Sequence, residues 1–194
     1  MLHRVALALL PLAAAAAAQT PLPRVTLQTS EGSIVVEVDT GHAPISAGQF
    51  LHYVDQKRFD GITFYRATNV APGYGLIQGG VRNDPKRALP PIVHEPTSTT
   101  GLSHTDGAIS WARAAPGTAR GDFFIVVGGF PTMDAAPGQP GDNQGFAVFG
   151  HVTQGMDVVR HILALPVSAT SGEGAMKGQM LVAPIHIVSA RRTP

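Results

Sequence analysis

The chain has no cysteine in 194 residues, which excludes a disulfide scaffold, a thiolate zinc site, a cysteine nucleophile and a lipid-modified bacterial amino terminus. Charge is scarce as well. Only 14% of residues are charged, and 14 Lys+Arg against 13 Asp+Glu leave a formal +1, so the chain carries no basic footprint for nucleic acid or anionic lipid. The eight histidines form no H-E-x-x-H pattern, and no metal is expected. No G-x-S-x-G elbow is present, and Ser103 and His104, adjacent in sequence, are a poor start for a hydrolytic triad. The glycine-rich stretch 73–80 has Gln78 where a third dinucleotide glycine belongs and is followed by no Walker Gly-Lys-Ser/Thr, so it reads as a turn and a strand.

What is present is a hydrophobic fraction of 44%, with 22 Gly and 16 Pro, enough for one ordinary domain with short elements and many turns. Residues 1–4 give a basic start, 5–12 an apolar stretch and 13–18 a run of small residues. This pattern reads as a secretory signal over 1–18, cleaved after Ala18, leaving residues 19–194 as a single exported domain. No other stretch approaches the roughly 18 apolar residues of a membrane span, so no membrane association is expected after cleavage.

Along the rest of the chain, Val25 and Leu27 share a face before the Ser30-Glu31-Gly32 turn signal, and Ile34, Val36 and Val38 share one after it. The alternation predicts a hairpin with one buried side. Pro44 opens a helix of about three turns, with Ala47, Phe50, Leu51 and Val54 on one face. Short strands are predicted at 63–66, 76–78, 108–112, 123–127 and 146–150, a second helix around Met156, Val159 and Leu163, and a closing strand at 181–188. Pro184 marks an edge or bulge in that last strand. Many strands and only two helices favour a closed antiparallel barrel or sandwich over a doubly wound sheet. The irregular stretches 81–106 and 131–145 are long enough to be functional.

Five blocks, in order, resemble the cyclophilin-type peptidyl-prolyl isomerases. They are Phe64-Tyr65-Arg66 with Pro72-Gly73-Tyr74 and Leu76-Ile77-Gln78-Gly79-Gly80, then Gly107 to Arg113, then Gly121-Asp122-Phe123-Phe124-Ile125, then Phe146 to Gly150, then Gly155-Met156. The resemblance runs from about Val25 to Val188. It implies a mainly β fold, an eight-stranded closed antiparallel barrel capped by two α-helices. It also implies catalysis of rotation about X–Pro bonds in proline-containing polypeptides, with no cofactor. A monomer assisting the folding of exported, periplasmic proteins is the expectation. A non-catalytic peptide-binding module or chaperone on the same scaffold is the alternative.

The same resemblance assigns site residues. Arg66 matches the catalytic arginine and Gln78 the residue that orients it. Leu76, Phe124, Met133 and Phe146 match the wall of the proline pocket, and Ala112, Arg113 and Ala114 the strand edge on which substrate backbone lies. Two departures stand out. The run from Arg66 to Gln78 is long, so either Tyr74 or Gly75 is the counterpart of the family's pocket phenylalanine. Tyr74 is preferred, since an aromatic body can face the proline ring. Asp122 stands where a glutamine usually contacts substrate, which places an acid near Arg66 that could anchor the guanidinium or blunt its donation.

Overall fold

The computed structural model describes residues 21–193; the expected signal segment 1–18 and its cleavage point lie outside the described residues. Strands β1 (Arg24–Thr29) and β2 (Gly32–Val38) form the expected hairpin, with Leu27 opposite Ile34 and Val25 opposite Val36, all four buried. Thr29 closes the turn, its hydroxyl donating to the Gly32 carbonyl and accepting from the Glu31 N–H. Gly32 is required there. Its φ is +134°, and a Cβ would lie 2.8 Å from a Val158 methyl.

The elements that follow are α1 (Pro44–Asp55), β3 (Ile62–Ala71), β4 (Tyr74–Gly80), the single turn α2 (Thr97–Thr100) and β5 (Ala108–Trp111). After these come β6 (Asp122–Val127), β7 (Ala147–Gln154), α3 (Met156–Leu163), the two-residue β8 (Val167–Ser168) and β9 (Met180–Thr193). The sheet runs β1-β2-β7-β5-β6-β4-β3-β9, and β9 pairs again with β1. Every pairing is antiparallel. The result is the closed eight-stranded barrel, with β8 an added scrap on β9. Closure leaves the eight strands without a free edge. Beyond the two expected helices, the described residues add the single turn α2, inside the 81–106 connection, and two 3-10 turns, Pro131–Met133 and Gly174–Met176. Among the described residues no helix is long and apolar enough to cross a membrane.

The barrel interior is filled rather than open. Phe50 of α1 reaches Phe149 at 5.0 Å between ring centroids, Phe59 at 5.4 Å, Phe123 at 5.7 Å and Trp111 at 6.2 Å. The lone tryptophan belongs to this core, its Nε1–H donating to the Ser46 carbonyl at 3.1 Å. Pro184 falls where expected. β9 pairs with β3 at Ile185 opposite Phe64 and at Met180 opposite Arg66, so residues 181–184 bulge across from Tyr65 alone.

A buried carboxylate starts α1. Ala43 offers no capping side chain and Pro44 no N–H, but Glu95, from the loop after β4, accepts from Ile45 N at 3.1 Å and Ser46 N at 2.6 Å. Glu95 satisfies two of the helix's orphan donors and sits at the positive end of its dipole. Glu95→Ala should therefore lower the unfolding free energy by about 1–2 kcal/mol, read from urea denaturation. An unchanged midpoint would mean that water replaces the cap at no cost.

Candidate active site

The site is built by the two-residue period of the strands. In β6 the side chains of Phe123, Ile125 and Val127 enter the barrel core, while Phe124 and Val126 fall on the opposite face in a second cluster with Leu76 and Phe130. β6 is buried on both faces because Met133 of the 131–145 loop and Phe146, just before β7, pack against this cluster on its outside. Arg66 and Gln78 lie directly opposite each other in the β3–β4 pairing, beside this outer apolar wall. Arg66, Gln78, Leu76, Phe124, Met133 and Phe146 line one cavity of about 690 Å³.

Arg66 is half-buried and fixed on one side. Its Nη1 donates to Gln78 Oε1 at 2.7 Å, and its Nε and Nη2 donate to Gln179 Oε1 at 2.8 and 2.5 Å. Gln78 in turn donates from Nε2 to the Tyr65 hydroxyl at 2.8 Å, and Thr68 donates to Gln179 Oε1 at 2.8 Å. Among the described residues three of the five guanidinium N–H groups are used, leaving one hydrogen on each terminal nitrogen. Burial pulls the Arg66 pKa below its ordinary value, yet a guanidinium remains charged across the working range. The arrangement is a rigid cation with two uncommitted donors beside a greasy slot.

Of the eleven residues named from sequence, ten line this cavity: Arg66, Gln78, Leu76, Ala112, Arg113, Ala114, Asp122, Phe124, Met133 and Phe146. Tyr74 does not. Its ring stacks on Phe130 at 4.3 Å and braces the outer cluster from behind. Gly75 cannot substitute, since its backbone lies so near β3 that a Cβ would be 2.1 Å from the Thr68 carbonyl oxygen.

Asp122 also corrects an expectation. It forms no hydrogen bond or ion pair with Arg66; its Oδ1 accepts from the Arg82 N–H at 2.8 Å. Burial raises its pKa, against the pull of the Arg82 N–H, the Tyr65 hydroxyl and the Arg82 charge. The acid therefore neither anchors nor neutralises the site cation. The strand edge is partly occupied too. Ala112 N–H is committed to the Asp122 carbonyl at 2.8 Å and Ala114 N–H to Thr118 Oγ1 at 3.2 Å, whereas the Arg113 N–H has no partner among the described residues. The Arg113 side chain straps the 131–145 loop. It forks onto Asp142 at 2.6 and 3.0 Å, donates to the Gly145 carbonyl and lies 5.0 Å from the Phe146 ring centre.

Sequence reasoning missed Gln179, which stands 113 positions after Arg66 at the end of a glycine-rich turn. Its only signal is arithmetic: an immobilised guanidinium needs more than the single acceptor Gln78 supplies. Met176, Asn83, Thr118 and Arg120 at the cavity rim carry no motif and were missed as well.

Comparison with known proteins agrees with this architecture. A family profile described as cyclophilin type peptidyl-prolyl cis-trans isomerase/CLD matches residues 24–191. A peptidyl-prolyl cis-trans isomerase of Acinetobacter baylyi is 37% identical over 174 residues, covering 87% of this chain and 86% of that protein. Peptidyl-prolyl cis-trans isomerase A of Dickeya dadantii is 36% identical over 148 residues, covering 75% and 73%. The crystal structure of a Cryptosporidium parvum cyclophilin type peptidyl-prolyl cis-trans isomerase, determined in the presence of the dipeptide Ala-Pro, superposes with a TM-score of 0.69 at 19% identity, covering 88% of this chain and 99% of that one. With a profile spanning nearly the whole barrel and relatives of that activity along most of its length, the chain belongs to the cyclophilin-type peptidyl-prolyl cis-trans isomerases and is an enzyme of that class.

Proposed function

We propose that Arg66 is the electrostatic catalyst of X–Pro rotation in this chain, and that its substrates are proline-containing segments of exported proteins. The observation that carries the first part is the Arg66 guanidinium, clamped by Gln78 and Gln179 with two donors free beside Leu76, Phe124, Met133 and Phe146.

The barrier to be lowered is about 18–20 kcal/mol, set by amide resonance. As the bond twists, resonance is lost, the prolyl nitrogen becomes pyramidal and it gains a lone pair. A donor fixed where that lone pair develops stabilises the half-rotated state more than either planar one. The apolar wall holds the pyrrolidine ring, and the free Arg113 N–H on the cavity edge holds flanking backbone. No bond breaks and no proton is exchanged. At 1.36 kcal/mol per tenfold, roughly 6–7 kcal/mol of such differential binding raises a background of about 10⁻² per second to about 10³.

A protease-coupled assay on an Ala-Pro tetrapeptide tests this reading. The protein should accelerate the slow cis-to-trans phase in proportion to its concentration. Peptide binding seen by titration calorimetry without acceleration would instead make it a binder. Gln179→Ala should lower kcat by about 3- to 10-fold with KM nearly unchanged, because it loosens the cation without touching the apolar wall. The export part rests on the 1–18 pattern, and amino-terminal sequencing of the secreted fraction tests it: the mature chain should begin at Gln19.

A further inference from the structure

Directly behind the apolar wall lies a buried polar chain that the reaction itself does not require. His104 is completely buried. Its ring lies nearly parallel to Phe124, at 5.8 Å and 9°, and perpendicular to Phe146, at 6.4 Å and 85°. Nδ1 is 2.5 Å from Asp134 Oδ1, and Nε2 is 3.2 Å from Ser110 Oγ. A carboxylate only accepts, so Nδ1 carries the hydrogen and Nε2 accepts from the Ser110 hydroxyl. Burial holds the imidazole pKa down, and the hydrogen bond and charge of Asp134 oppose it. An Asp-His-Ser set in an open cleft would suggest acyl transfer. Here Ser110 is as fully buried as His104 and cannot meet a substrate.

The same set reaches the loop-borne part of the wall. Asp134 also accepts from the His104 N–H at 3.0 Å and from the Ser103 hydroxyl, which fixes the end of the turn Pro131–Met133. The His104 carbonyl accepts from Phe130 N at 2.6 Å, and Met133 in turn bridges Phe130 and Phe146 through its backbone N–H and carbonyl. We propose that His104 is a positioning residue, whose ring backs Phe124 and whose bond to Asp134 sets Met133 and Phe146, so that it fixes the width of the slot for the proline ring. The inference rests on reading the cavity as that slot. His104 itself does not line it.

Two variants separate the two arms. His104→Phe keeps a ring behind Phe124 and loses the bond to Asp134; His104→Asn keeps a donor for Asp134 and loses the ring. Each should raise KM for the tetrapeptide about 3- to 10-fold with kcat within about twofold, in samples matched for near-ultraviolet circular dichroism. A merely structural residue would lower the folded fraction, and with it apparent kcat, at unchanged KM. Asp134→Asn, nearly isosteric, carries the same expectation if the His104 variants do not fold. Unchanged KM in a folded variant of this set overturns the proposal. Arg66→Ala measured beside them keeps the two readings distinguishable: if it retains full activity the catalytic reading fails, and if only the His104 and Asp134 variants are silent the positioning role alone fails.

Discussion

Arg66→Ala lowers kcat/KM for a Xaa-Pro tetrapeptide by about 10²–10³-fold, most of it in kcat, the range measured when a preorganised donor is removed from a transition-state charge site. The split follows from what remains. Leu76, Phe124, Met133 and Phe146 still hold the proline ring, so ground-state affinity and KM move little, while the other strapped cation lining the cavity, Arg113, is already paired with Asp142 and the Gly145 carbonyl. Arg66→Lys separates charge from geometry. An ammonium on a flexible stem cannot fork onto Gln179 while also reaching Gln78, so it keeps the sign of the field and loses its direction. It should recover part of the loss, leaving a deficit of about tenfold or more. The protease-coupled assay reads both. An alanine variant keeping a third or more of wild-type kcat/KM would remove Arg66 from the mechanism.

The largest effect on stability is expected far from that cation. Phe50→Ala should cost about 3–5 kcal/mol, the usual range for an aromatic deleted from a core, and a large part of a typical total of about 5–15 kcal/mol. Phe50 is wholly buried and its ring has four aromatic neighbours, Phe59, Trp111, Phe123 and Phe149. Those neighbours come from four separate places in the chain and cannot all collapse into one void. Guanidinium denaturation measures the loss, and a value below about 1 kcal/mol would mean the interior is loosely filled. Molecules that remain folded should retain most of their turnover, because the site stands on the outside of the sheet.

That division between inside and outside explains what the sequence made legible. The first hairpin and both expected helices announce themselves by period, since one face of each is apolar, whereas β5 and β6, buried on both faces, show no alternation and are legible only as short β-branched and aromatic runs between turn residues. Arg66 and Gln78 were found through family blocks and fall on directly opposed residues of two strands. The limits of β3 were not legible. Thr68, Asn69, Val70 and Ala71 continue the strand beyond the barrel core with little burial, and Asn69 is held by the Leu163 carbonyl at 2.6 Å rather than by packing. Hydrophobic alternation has nothing to say about such an arm. Glu95 and Gln179 were missed for a related reason: each is one polar side chain serving a partner dozens of residues away, and no spacing encodes that. Tyr74 was misplaced because an aromatic body suits a proline ring, whereas at the hairpin end its ring stacks on Phe130 instead.

The pairing of β1 with β9 has a consequence for biogenesis. The seam joins the first strand of the described residues to the last, so a nascent chain cannot finish its ring until the fourteen-residue β9 is free of the machinery that made it. Contacts of such long sequence separation form slowly. A product truncated before that strand would present two raw lips, on β1 and on β3, each able to recruit a strand from a neighbour.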